Sequence, residues 1–114
     1  MKRIKLITTK ITSNTQVENF ELNYRKELLR IVELIPEGAT VSQMGTAIKV
    51  VKKLQDTPDG ADCYLEDSEH EYLASKVRAA RFTFVASEIV EMVEAVEKAE
   101  ACEAPHLTGK AAAQ

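Results

Sequence analysis

Residues 24–55 read YRKELLRIVELIPEGATVSQMGTAIKVVKKLQ, and this stretch decides the fold class. Leu28, Ile31, Val32 and Ile35 recur at helical spacing, which predicts one helix over 24–35 with Asn23 as its cap. Pro36 and Gly38 stop it. Thr40 opens a second helix, and Gln43 three residues on completes a capping box. Val41, Met44, Ala47, Ile48, Val51 and Leu54 then form an apolar stripe, so 40–55 is predicted helical and packed along that stripe. Gly45 inside it costs about 1 kcal/mol relative to alanine.

Working outward to the N-terminus, RIKLITTKI (3–11) alternates around Ile4, Leu6 and Ile11 and is rich in β-branched residues, which predicts a strand. The polar SNTQ (13–16) reads as a turn, and Phe20 and Leu22 alternate with Glu21 and Asn23 as a short partner strand. A small hairpin follows, and a hairpin needs something to lie on.

Toward the C-terminus, DTPDGAD (56–62) is a turn and CYLED (63–67) an edge strand. Asp67 or Ser68 caps a third helix with Tyr72, Leu73 and Val77 facing inward. RFTFVA (81–86) interrupts the helical pattern, and Ser87 then caps a last helix, with one bent helix from 68 to 100 as the alternative. The expected architecture is α+β and mostly helical: an N-terminal hairpin, three or four helices and a short β-element near 63–66. Residues 1–103 form one compact domain, and 104–114 a disordered tail.

The last helix carries glutamate at every third position, Glu88, Glu91, Glu94, Glu97, Glu100 and Glu103. A helix turns about 100° per residue, so each glutamate slips back by about 60° from the last. The six circle the helix and line no single face, which excludes a simple metal ladder. Ile89, Met92, Val93 and Val96 share one sector, on which the later glutamates intrude. The helix therefore packs from about 87 to 96, and its last turns reach solvent or a partner.

Net charge is −3, but unevenly placed. Residues 1–57 hold ten Lys/Arg against six Asp/Glu, a balance of +4, and residues 58–114 five against twelve, a balance of −7. Head-to-tail self-association is one way to satisfy such a dipole. No apolar run is long enough to span a membrane, and the basic, alternating N-terminus is no signal peptide. Cys63 and Cys102 stand far apart without a pairing pattern, as in a reduced cytoplasmic protein.

Chemistry-bearing patterns are sparse. His70 lies among acids in EDSEHE, three residues from Asp67, but a metal site needs further ligands, so a surface histidine is expected. Cys63 lacks a visible base, and the four glycines are scattered and form no phosphate loop. These features point away from an enzyme, a cofactor, a metal or a small-molecule substrate. The helix pair 24–55 is compatible with a winged-helix or helix-turn-helix regulator in which Lys49, Lys52 and Lys53 approach phosphate.

LNYRKELLRIVELIPEGATVSQMGTAIKVVKKLQ, CYLEDSEHEYLASKV and FVASEIVEMVEAVEKA together resemble small proteins encoded by tailed phages and prophages. The shared pattern is a first helix, a G-x-T capped second helix, an L-E-D element and a final amphipathic helix ending in alanine, over most of residues 22–99. The resemblance implies a phage assembly or accessory factor and brings no catalytic or binding residue with it. The expected function is protein–protein contact, by self-association into an oligomer or by docking on a larger component. The expected surface is Met92, Val96, Ala99 and Glu100 with Glu91 and Glu94. DNA binding and acidic inhibition of a nucleic-acid-binding partner are the alternatives.

Overall fold

The computed structural model describes residues 1–36 and 38–102. In chain order it forms β1 (Lys2–Lys5), β2 (Thr8–Lys10), a 3-10 turn (Thr15–Val17), β3 (Glu21–Asn23), α1 (Tyr24–Glu33), α2 (Val41–Asp56), β4 (Asp62–Leu65), α3 (Asp67–Ala79), α4 (Ser87–Glu97) and β5 (Glu100–Ala101). The fold is α+β and mostly helical, with two small antiparallel sheets.

The β-branched N-terminal stretch forms two strands in two sheets. β2 and β3 make the expected hairpin, with Thr9 opposite Leu22. β1 instead lies between β4 and β5, with Ile4 opposite Cys63 and Arg3 opposite Glu100. The chain changes sheets at Leu6 and Ile7. The Leu6 amide donates to the Ala61 carbonyl (2.9 Å), and the Ile7 carbonyl accepts from the Tyr24 amide (3.0 Å). Ile4, Leu6 and Ile11 all reach the core, so the alternation read in sequence survives the split.

Asn23 ends β3 and caps α1, its side chain accepting the Lys26 amide at 3.0 Å. α1 stops at Glu33, two residues short of the expected end, and leaves Leu34 exposed. The predicted capping box of α2 is present: Gln43 N–H donates to the Thr40 hydroxyl (3.1 Å) and Thr40 N–H to the Gln43 side chain (2.9 Å). Between α2 and β4, Gly60 takes φ +86°, a conformation that favours glycine, and its amide donates to Leu6 O at 2.6 Å. Asp59 in the same turn accepts from Arg25 Nε (2.9 Å) and Asn23 Nδ2 (3.2 Å), which hold its carboxyl below the usual range.

β4 is an edge strand, as expected. α3 starts at Asp67, and the Glu66 amide before it donates to the Glu69 carboxylate (2.9 Å). α3 and α4 are separate helices, so the single bent helix is excluded. Ser87 is not the cap of α4 but its first residue, and its amide donates to the Ser13 hydroxyl across the fold (2.9 Å). One core joins the elements: Leu28 and Val32 from α1, Val50 and Leu54 from α2, Leu73 and Val77 from α3, Met92 and Val96 from α4. Full burial of one such side chain stabilises by about 1.5–3 kcal/mol. Glu103 and the predicted tail 104–114 lie outside the described residues.

Candidate interaction surface

The contact residues expected on α4 divide sharply. Met92 and Val96 are fully buried, and Ala99 is half-buried against the core. They cannot form a contact surface, because α3 already covers the apolar sector of α4. Nor does the helix outrun its packing. It ends at Glu97, the Lys98 amide donates back to Glu94 O (2.8 Å), and the chain returns to pair with β1. Glu100 therefore sits in a strand, where it is exposed and ion-paired with Arg3.

The acid ladder is broken up by partners. Glu97 accepts from Arg78 Nε at 2.7 Å. Glu88 accepts from the Ser13 hydroxyl (2.6 Å) and from the amide and hydroxyl of Thr12 (3.1 and 3.2 Å). The Ser13 and Thr12 bonds pull the Glu88 carboxyl from its ordinary 4.5 to about 2. Glu91 and Glu94 are exposed and in no ion pair among the described residues, with Val90 exposed beside them.

His70 is not a surface histidine. It is buried, and its Nε2–H donates to the Val96 carbonyl at 2.6 Å, tying α3 to the end of α4. Asp67 points elsewhere, to the N-terminal amine at 3.4 Å, so the two do not act as a ligand pair. No group of three or more potential metal ligands forms among the described residues. Cys63 and Cys102 are unpaired, and burial pushes the Cys63 thiol up, away from the reactive thiolate.

The three lysines of α2 do not act together either. Lys49 and Lys52 are exposed. Lys53 turns toward α3 and binds Glu69 at 2.7 Å, whose side chain is only 6% exposed. The lysine is the counter-charge of a buried carboxylate and is not available to phosphate.

The larger correction concerns the apolar stripe of α2. Val41 is 86% exposed, Met44 51% and Ile48 50%, while Ala47, Val50 and Leu54 are buried. The missed signal was Val50. With it, the apolar residues of α2 cover an arc of about 180°, wider than the roughly 100° stripe that a core-facing helix needs. α1 and α3 take one side of that arc, and the other side meets solvent. A groove of about 620 Å³ runs along it, lined by Val32, Ile35, Ala39, Met44, Ile48 and Val51, with Lys52 at its edge. Gly45 lies on the same outward side. A Cβ there would meet nothing within 4 Å, so no contact inside the chain requires glycine.

Among the described residues, no helix is long and apolar enough to cross a membrane. No protein-family model matches this chain, and no curated protein and no solved structure matches it.

Proposed function

We propose that this chain is a non-enzymatic accessory or assembly protein, of the tailed-phage kind its sequence resembles, that acts in the cytoplasm by self-association. One observation carries the reading: Val41, Met44 and Ile48 stand in solvent beside an apolar groove, on a well-capped helix. Contiguous exposed apolar surface of this kind marks contact sites. The apolar contact face is the outer side of α2, in place of the Met92–Val96 side of α4, which is buried.

Charge supplies the occupant. Lys49 and Lys52 border one side of the exposed apolar face of α2, and the outer face of α4 presents Val90 beside Glu91 and Glu94. The α4 face of a second copy complements the α2 face of the first. Such a head-to-tail contact uses two different patches and so builds rings or filaments. Duplex binding by Lys49, Lys52 and Lys53 has less support, because Lys53 is engaged by Glu69. Acidic inhibition of a nucleic-acid-binding protein rests on Glu91 and Glu94 alone.

The test is light scattering after size exclusion. Ile48→Asp converts the wild-type oligomer to monomer. Lys49→Glu/Lys52→Glu and Glu91→Lys/Glu94→Lys are each monomeric alone, because both of their faces then carry the same sign, but mixed they re-form the oligomer, because the two reversed faces complement each other as the native pair does. A monomeric wild type defeats self-association. An oligomer insensitive to the charge changes but broken by Ile48→Asp retains α2 and defeats the α4 pairing.

A further inference from the structure

The chain has three phenylalanines, and all three lie outside the fully buried core. Phe20 is 56% exposed, and Phe82 and Phe84 are only partly buried. They come from the turn after the 3-10 segment and from the α3–α4 connection, yet they converge on one cavity of about 310 Å³, with Leu22 and Ile89 as its apolar floor. Phe20 and Phe84 meet edge to face, centroids 6.2 Å apart. Arg30, Arg81 and Glu27 add charge to the lining, and the Arg30 guanidinium lies 5.8 Å from the Phe82 ring centre.

A phenylalanine normally stabilises a fold by entering the core. Three left at one surface position, beside two arginines, make the composition of a binding hot spot. The walls are also held in place. Asn14 Nδ2 donates to Val85 O at 2.8 Å, Ser13 bonds Glu88 and the Ser87 amide, and Asn19 adopts φ +69° to turn the chain into Phe20. A cleft braced in this way loses little entropy when it is filled.

We infer that this cleft binds a short segment of a partner protein that carries an aromatic or large aliphatic anchor next to an acidic residue. The anchor enters among Phe20, Phe82 and Phe84. The carboxylate meets Arg81, which is exposed and in no ion pair among the described residues. Arg30 adds less, since Glu27 already pairs with it. Glu27 and the net charge of −3 disfavour a long polyanion, so the cleft fits a peptide better than a nucleic-acid strand. This site is separate from the α2 groove and does not depend on the self-association reading.

The experiment is selection of displayed random peptides of about a dozen residues on the whole protein, followed by anisotropy titration of the enriched sequence. The expected consensus pairs an acid with an aromatic or large aliphatic residue. Arg81→Glu and Phe20→Ser, both at exposed positions, each weaken binding at least about tenfold while circular dichroism stays unchanged. Selection without enrichment overturns the inference, as does a consensus lacking the acid, binding indifferent to both variants, or displacement of the peptide by single-stranded oligothymidine.

Discussion

α2 and α4 look alike in sequence, each a capped or acid-led helix with apolar residues at helical spacing, and they end in opposite situations. α4 buries Ile89, Met92 and Val96, and shows solvent Val90, Glu91 and Glu94. α2 buries Ala47, Val50 and Leu54, yet leaves Val41, Met44 and Ile48 outside. The difference lies in the width of the apolar arc relative to the neighbours that can cover it. α4 has one sector, which α3 fills. α2 has about two, and α1 and α3 together reach only the first. Periodicity identifies an apolar face; it does not say how much of that face the rest of the chain can cover.

The largest difference between the two helices is expected at a matched pair of methionines. Met92→Ala removes a fully buried side chain and should cost about 3 kcal/mol of unfolding free energy, whereas Met44→Ala should change monomer stability by no more than about 0.5 kcal/mol. Urea titration of both, at a concentration where the chain is monomeric, checks it. Equal costs would mean that Met44 is packed as firmly as Met92.

A pair of lysines sharpens the same contrast within α2. Lys53→Ala leaves the buried Glu69 carboxylate without its counter-charge, held by the Glu66 amide, and should cost about 1–3 kcal/mol, less than a fully buried pair because the lysine is 33% exposed. Lys52→Ala should cost no more than about 0.5 kcal/mol. Thermal melts distinguish them, and a Lys53→Ala protein as stable as Lys52→Ala would show that the ion pair adds nothing.

Gly45→Ala separates folding from association on the outward side of α2. With nothing near the new methyl group, the monomer should gain about 0.5–1 kcal/mol, and a docking face that uses close helix approach should lose affinity. A variant that melts higher and associates as before would show that no such approach occurs at Gly45.

The smallest effect is at the start of α4, where Glu88 is bound to Thr12 and Ser13. Its folded-state pKa is depressed from 4.5 to about 2, so its contribution is complete above the unfolded value and disappears as pH falls through that window. Glu88→Gln should melt slightly below wild type near neutral pH, and the two should converge as pH falls toward 2. A gap that stays constant with pH would assign the effect to geometry and not to charge.

Much of the fold was legible in residues 20–79. Asn23 and the Thr40–Gln43 box mark helix starts because short polar side chains satisfy unpaired amides locally, and Pro36 with Gly38 marks a stop for reasons equally local. The candidate site was much less legible. His70 reads as solvated among acids, and only the position of α4 brings the Val96 carbonyl to its ring. Met92 and Val96 read as a stripe in search of a partner, and only α3 shows that the partner is internal.

The helices, the caps of α1 and α2, the hairpin and the break before α4 could be read from the chain alone, since each depends on interactions within a few residues, whereas α3 and α4 begin one residue away from the caps expected for them. Tertiary structure alone decided the division of the N-terminal strand between two sheets, the return of Glu100 and Ala101 to β1, the meeting of Phe20 with Phe84, and the side of α2 that faces water. The physical reason is that exposure belongs to a residue's neighbours in space, and those neighbours come from elements tens of residues away in the chain.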